Sequence, residues 1–433
     1  MTIRNLGKLL APRSVAFIGA SPEPASVGAI VTANLSTGGF AGPLWLVNPR
    51  HKSVDGAPCY ATPAELPGVP DLAVIATPPA TIPALISELG AKGTRAAVVI
   101  TAGVSGELRR DMLKAAQPYC LRIQGPNCLG LLLPPLGLNA SFSHIMPPKG
   151  DLAFLSQSGA LVTAILDWAS SRAIGFSHVV SMGDMADVDF GDLLDYLAGD
   201  IESRAILLYM EQLTGARKFL SAARRAARIK PVIVLKAGRN PTAARAATSH
   251  TGALAGADAA YNAIFRRAGL LRVTELGDLF EAGEILSAAP PLLGERLAIL
   301  TNGGGAGVLA ADSLADDGGL LAELSPATRK ALDAVLPPTW SKGNPIDIIG
   351  DAGPDRYASA IDAVLADEAS DAVLVMNCPT ALASSEEAAR VVIAADAKSK
   401  AKRRPSKPVL TNWLGDGAAS RSRALFAAAG IPT

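Results

Sequence analysis

The chain has 433 residues, of which 49% are hydrophobic, 18% charged and 5% aromatic, with a formal net charge of +1. That length exceeds what one hydrophobic core can organise and implies several domains. The balanced charge excludes a nucleic-acid binder, which needs a basic surplus to neutralise phosphates. No window approaches the ~20 uninterrupted apolar residues of a membrane span.

The opening stretch MTIRNLGKLLAPRSVAFIGAS runs into a strand pattern without the apolar core and cleavage site of a secretory leader. Four cysteines, Cys59, Cys120, Cys128 and Cys378, show neither CxxC spacing nor disulfide density, which points to a reducing cytoplasm. From Val15 onward, short apolar runs bounded by Gly or Pro alternate with longer helical patterns. The first group comprises SVAFIGAS, PLWLVNP, LAVIATPP, AAVVITAG and LRIQGPNCLG. LAFLSQSG, FSHVVSMG, AILLYME and PVIVLKAG form the second group, and RLAILTNGG, DAVLVMN and KPVLTNWLG the third. Such continuous Val/Ile/Leu runs read as buried parallel strands, with βαβ crossovers between them. Breakers at Met146–Asp151 (MPPKGD) and Ser287–Arg296 (SAAPPLLGER) separate the groups. The expected architecture is α/β, with three doubly wound, Rossmann- or flavodoxin-like domains of mainly parallel sheet, at about 1–145, 146–288 and 289–433. The richest basic run, KSKAKRRPSK (Lys398–Lys407), leads into a strand and reads as a solvated connection. In open parallel sheets ligands bind where strands end and Gly-rich turns enter helices, so the candidate residues are those that end each run.

In the first group, Val15–Leu35 is a strand, a Gly-containing turn from Gly19 through Ser21 to Gly28, and a helix. The glycines are too far apart for a dinucleotide fingerprint. The stretch reads either as a plain strand-to-helix turn or as backbone amides offered to a phosphate. Asn48, Arg50 and Lys52 end the second run, where they could meet phosphates. Thr77 and Pro78, then Thr101 and Ala102, present hydroxyls and amides on neighbouring strands, and Gly125–Gly130 adds a rigid turn with Asn127. In the same order, these motifs resemble the CoA-binding domain of succinyl-CoA synthetase and its relatives, the NDP-forming acyl-CoA synthetases. CoA along those strand ends is what the resemblance implies; the residues alone imply a phosphate-bearing nucleotide.

In the second group, LSQSGA turns a buried strand into a helix. Ser156 and Ser158 can donate from the loop, and the amides of Ser158, Gly159 and Ala160 head the helix. Ser158 also reads as an ordinary N-cap, and both roles can hold. Glu211 directly follows the apolar run AILLYM. His250, in TSHTGALAG, is one of four histidines and is flanked by Ser249, Thr251, Gly252 and Ala253. The resemblance implies that His250 accepts phosphate and that Glu211 holds its ring. An imidazole that accepts a phosphoryl group attacks through one nitrogen while an acceptor on the other N–H fixes the tautomer. His51, His144 and His178 read as structural or at most adjacent to substrate. The stretch VVSMGDMADVDFG departs from the family, which usually has Asn where Asp184 stands. Asp184, Asp187 and Asp189 read as a loop lining the active site rather than as a metal site, and no resident metal is expected.

In the third group, Leu297–Gly319 repeats the strand, glycine turn and helix, with Gly304, Gly305, Ala306 and Gly307 as candidate phosphate contacts. The resemblance implies that this turn and the one at 158–160 cradle one phosphate. Asn344-Pro345 and Asp347 also match the family and lie near a strand end, where a purely structural role is the other reading. The order of domains resembles the alpha part of ADP-forming acetyl-CoA synthetases. No segment resembles their ATP-grasp domain, so ATP or ADP and Mg2+ are expected on a partner beta subunit or domain, in a homo- or hetero-oligomer such as a heterotetramer. The chain is accordingly expected to be either a separate alpha subunit or a piece of a longer protein. The substrates implied are a small carboxylic acid and its acyl-CoA, with neither nucleic acid nor membrane as partner. The alternative is a CoA- or acyl-CoA-sensing regulatory module, related to the ligase-like region of protein acetyltransferases. An NAD-dependent dehydrogenase fits poorly, because no acidic residue follows the second strand to hold a ribose.

Overall fold

The structure, a computed structural model, describes residues 3–171, 174–240, 258–288, 292, 294–402 and 406–433. Contacts divide the chain into two compact units, Met1–Ser287 and Ala288–Thr433. Twelve of the strands are those expected from the apolar runs. The first unit holds two sheets.

The first sheet contains β1 (Val15–Ile18), β2 (Leu44–Val47), β3 (Ser53–Val54), β4 (Ala57–Tyr60), β5 (Leu72–Ile75), β6 (Ala96–Val99) and β7 (Arg122–Gln124). Its order is β3-β4-β2-β1-β5-β6-β7, parallel except where β3 meets β4. β1 sits at the centre with Val15 in register with Leu44 on one side and Leu72 on the other. All four of its side chains are buried, which is why the run carries no polar alternation.

The second sheet contains β8 (Gly130–Leu133), β9 (Leu138–Ser141), β10 (Lys149–Ser156), β11 (Phe176–Ser181), β12 (Ala205–Met210), β13 (Val232–Lys236) and β14 (Leu271–Val273), in the order β14-β13-β12-β10-β11-β8-β9. Its β10 to β14 are parallel, while the β8–β9 hairpin joins antiparallel through Val179↔Leu132. This hairpin was not anticipated. It precedes residue 145, yet it hydrogen-bonds to the second sheet, because LLL and LNA are buried on both faces and complete an otherwise open edge beside β11. One buried apolar cluster therefore runs from Val15 and Val98 through Leu131 and Leu138 to Val180 and Leu208.

The second unit carries β15 (Arg296–Thr301), β16 (Leu320–Leu321), β17 (Ile346–Asp347), β18 (Ala372–Asn377) and β19 (Val409–Trp413). All pair in parallel, in the order β16-β15-β18-β19, with β17 beside the end of β15. Tyr357, Trp413 and Phe426 fill the core beneath it. Among the described residues no helix is long and apolar enough to cross a membrane.

Candidate active site

β1 ends at Gly19, whose φ of +111° disfavours a side chain and whose Cβ would stand 2.5 Å from the Ala76 carbonyl oxygen at the exit of β5. The helix Val27–Thr37 is capped by Ser26, whose Oγ accepts the Ala29 N–H at 3.0 Å. A Cβ on Gly28 in its first turn would lie 2.4 Å from the Gly19 carbonyl oxygen and 2.9 Å from Ser21 Cβ. Bare backbone at both places lets strand end and helix start close together. β1 lies between β2 and β5, where chain order reverses and an open sheet takes its ligand.

The neighbouring exits complete this edge. Asn48 Nδ2 donates to the Ala20 carbonyl at 2.7 Å and Asn48 Oδ1 accepts the Arg50 N–H at 2.9 Å, so Asn48 ties the exits of β1 and β2 together. Arg50 and Lys52 stand exposed beside it. Thr101 Oγ1 donates to the Thr77 carbonyl at 2.8 Å, with Pro78 and Ala102 exposed on either side. Asn127, at φ 57°, donates its N–H to the Thr101 carbonyl at 3.0 Å. The first-group residues picked from the sequence thus lie along the carboxyl ends of one sheet.

On the second sheet a single hydroxyl folds the turn after β10. Ser156 Oγ accepts the Ser158 N–H at 3.2 Å and donates to the Ser158 carbonyl at 3.0 Å. Ser158 Oγ accepts the Leu161 N–H at 3.3 Å, the capping role. Gly159 and Ala160 open the helix Gly159–Ser171, where N–H groups have no intrahelical acceptor and favour an anion.

Two functional candidates escaped the sequence reading. Gln157 Oε1 accepts the N–H of Glu211 at 2.6 Å and of Gln212 at 2.8 Å, clasping the exit of β12 to the turn. The available signal was a buried amide placed between the two serines of a strand exit. Lys236, at the end of β13 in register with Met210, is buried; its ammonium donates to the Ala237 carbonyl and lies 4.5 Å from the Tyr261 ring centroid. Burial lowers its pKa, opposed by Asp258, aided by Arg272 and opposed by Glu211. Burial and then the Glu211 charge push the Tyr209 hydroxyl up to about 12. A fixed cation and a carboxylate therefore share the β12–β13 exits. His250, with Ser249, Thr251, Gly252 and Ala253, lies outside the described residues.

The acidic loop after β11 is committed to structure. Asp187 Oδ2 accepts from Arg122 Nε and from the Ile123 N–H, both at 2.9 Å. Asp189 caps the helix Phe190–Leu197 and pairs with Lys218 at 2.9 Å. Asp192 takes both Arg122 at 2.9 Å and Lys218 at 2.8 Å. Burial opposes the Arg122 charge, but the carboxylates outweigh it and its pKa is raised. Asp184 Oδ1 accepts from Asn127 Nδ2 at 3.1 Å, and the Asp184 and Ala186 N–H groups donate to Pro126 and Gly125. The loop thereby lies against the last turn of the first sheet. Among the described residues no three His, Cys, Asp or Glu side chains group to hold a metal. His178 belongs to a buried cluster with Ser177 and Ser203, at 3.1 and 3.3 Å from its Nδ1, and burial lowers its pKa.

The second unit repeats the construction. Thr301 Oγ1 accepts the Gly303 N–H at 3.0 Å and donates to the Gly303 carbonyl at 3.2 Å, as Ser156 does for Ser158. Asn302 stands where Gln157 stands, exchanging hydrogen bonds of 2.7 and 2.9 Å with the backbone of Cys378 at the exit of β18. The helix Gly304–Asp316 follows, with Gly304, Gly305, Ala306 and Gly307 in its first turn. A Cβ on Gly304 would meet Asp347 Oδ2 at 2.7 Å, so that carboxylate stands against the helix start. Asn344 bonds Leu297, Ile299 and Ala322, a framework role.

Three α/β modules, with anion-ready turns at the ends of their central strands, define a class of enzyme parts that handle phosphate and nucleotide-like ligands. Family models assign the modules: a CoA binding domain matches residues 13–134, a succinyl-CoA ligase like flavodoxin domain 149–286, and a ligase-CoA domain 297–432. The ADP-forming acetate–CoA ligase I of Archaeoglobus fulgidus is 38% identical over 431 residues, 98% of this chain and 61% of that protein. The alpha subunit of ADP-forming acetate–CoA ligase I from Pyrococcus furiosus is 36% identical, covering 99% of this chain and 94% of the subunit. The dinucleotide forming acetyl-coenzyme A synthetase 1 of Ca. Korarchaeum cryptofilum, solved with phosphate and ADP, superposes with a TM-score of 0.92 at 36% identity, covering 99% of this chain and 92% of that one. The chain belongs to the NDP-forming acyl-CoA synthetase family.

Proposed function

We propose that the chain is the alpha part of an acid–CoA ligase that interconverts acyl-CoA, phosphate and ADP with a carboxylic acid, CoA and ATP. Phosphate attacks the thioester carbonyl, expelling CoA as its thiol and leaving an acyl phosphate. The imidazole of His250 then takes the phosphoryl group, releasing the carboxylate, and passes it to ADP. The relatives named acetate–CoA ligases support a short acid as substrate. The nucleotide and Mg2+ are assigned to an ATP-grasp subunit or domain, as the likeness to an alpha subunit of ADP-forming acetate–CoA ligase supports. In this reading CoA is assigned to 1–145, the phosphohistidine to 146–288, and the second ligase domain to 289–433.

Each residue has a role that follows from its place. Arg50 and Lys52, with the amides around Gly19 and Gly28, meet the CoA phosphates. Thr77, Pro78, Thr101, Ala102 and Asn127 line the rest of that edge, beside Ser21. The Ser156–Ala160 turn and the Gly304–Gly307 turn each hold phosphate by helix-start amides. Glu211 accepts from the ring N–H of His250, fixing its tautomer, and supports the cation formed when the other nitrogen is phosphorylated. The observation that carries the reading is the Gln157 clasp, which brings a carboxylate-bearing strand exit to an anion-binding turn.

Isothermal calorimetry of the full chain tests the first step. CoA is expected to bind, and removal of its 3′-phosphate or the change Arg50→Ala to weaken it about 10-fold, the loss of one charge-assisted contact. Tight NAD binding without CoA binding would overturn the assignment.

A further inference from the structure

The loop Glu211–Gly215 after β12 is held at both ends by side chains that the reaction scheme leaves without a task. At its start, Gln157 Oε1 accepts two consecutive N–H groups, Glu211 at 2.6 Å and Gln212 at 2.8 Å. At its end, Thr214 Oγ1 donates to Asp189 Oδ2 at 3.1 Å. Both anchors are themselves fixed. Gln157 is buried, and its own N–H donates to the Tyr209 carbonyl at 3.2 Å, so it grips β12 through backbone and side chain together. Asp189 accepts the Gly191 N–H at 2.9 Å and pairs with Lys218, within the network that continues through Asp192 to Arg122. A carboxylate that must meet one nitrogen of one ring needs such support, because a displacement of about 1 Å can cost on the order of 10²-fold in rate.

We infer that Gln157 and Thr214 are positioning residues for phosphoryl transfer, which together set where the Glu211 carboxylate stands relative to the Ser156–Ala160 turn. The inference rests on the phosphohistidine reading above. It differs from a purely structural role in what the variants do. Gln157→Met keeps length but removes the acceptor, releasing Glu211. Gln157→Glu keeps an acceptor for both N–H groups, so the loop stays in place, but adds a negative charge beside the anion turn. Thr214→Val keeps shape without the hydroxyl, and Thr214→Ser restores it.

The test is labelling of the full chain with radioactive inorganic phosphate and acetyl-CoA, beside an ATP-grasp partner, reading kcat and the phosphate KM separately and melting temperature alongside. Gln157→Met is expected to lower kcat about 30-fold with the phosphate KM within about threefold, and Thr214→Val to lower kcat about 10-fold, Thr214→Ser restoring it. Gln157→Glu is expected to retain most of kcat and to raise the phosphate KM about 10-fold, through like-charge repulsion. If Gln157→Met and Thr214→Val match the wild type, or if kcat merely follows melting temperature across all four variants, the inference is overturned. A wild-type chain that takes up no label overturns the phosphohistidine reading, and this inference with it.

Discussion

His250→Asn is expected to abolish incorporation of phosphate into the chain and to lower ligase turnover by about 10⁴-fold or more, the scale for loss of a nucleophile. Asn preserves most of the bulk and a polar nitrogen, so the loss isolates the chemistry of the ring. An amide nitrogen has its lone pair in resonance with the carbonyl and does not attack phosphorus. Glu211→Gln is expected to give a smaller effect, about 10²-fold in the rate of labelling, because on the proposed pairing a hydrogen bond to the ring would survive while the charge that supports its cationic form would not. The order of the two effects is the informative part. Full labelling of His250→Asn would locate the phosphate elsewhere and leave His250 a loop residue.

The second large effect concerns stability. Asp192 is 3% exposed and takes both Arg122 and Lys218, while its neighbour Asp189 completes the shell around Lys218. Asp192→Ala removes the carboxylate between two cations, one of them on a side chain only 10% exposed. Removing this buried acceptor costs about 1–3 kcal/mol, less than breaking an isolated buried pair, because Asp187 still faces Arg122 and Asp189 still faces Lys218. Urea unfolding of the full chain should show that loss, and Asp192→Asn, which keeps the shape and one acceptor oxygen, a smaller one. A change below about 1 kcal/mol would mean that Arg122 finds Asp187 alone sufficient. This network joins β7 of the first sheet to the helices Phe190–Leu197 and Ala216–Ala227 of the second, so its loss should also loosen the β12 exit that carries Glu211.

What the sequence exposed and what it hid follow from range. SVAFIGAS or AILLYME announces a strand because its apolar side chains are buried, all of Val15–Ile18 and all of Ala205–Met210 but Tyr209, a property that each run carries within itself. The turns at Ser156–Ala160 and Gly303–Gly307 are equally local, since a small or hydroxyl residue at a strand end followed by glycine needs no distant partner to be recognised. The β8–β9 hairpin was hidden because its place depends on β11, where Leu132 pairs with the distant Val179, and because Pro134, Pro135 and Gly137 look like a linker. Gln157 and Asn302 were hidden for the same reason: an amide at a turn is common, and only the fold brings Glu211 or Cys378 within its reach. The ion pairs of Asp187 with Arg122 and of Asp189 with Lys218 were hidden likewise, because the partners are distant in sequence. Asn48, chosen as a contact for phosphate, is drawn into the Ala20 loop by a bond that spacing alone does not reveal.

The most direct test of the account is the coupling of two products in one reaction without nucleotide. Full-length chain, labelled phosphate and acetyl-CoA are mixed, and free CoA thiol is counted against acid-labile, base-stable phosphate on the protein. Phosphohistidine chemistry predicts one thiol released for each phosphate bound, the label mapping to His250 and disappearing in His250→Asn. Thioester cleavage with no phosphate on the chain, or label that persists in His250→Asn, would contradict it.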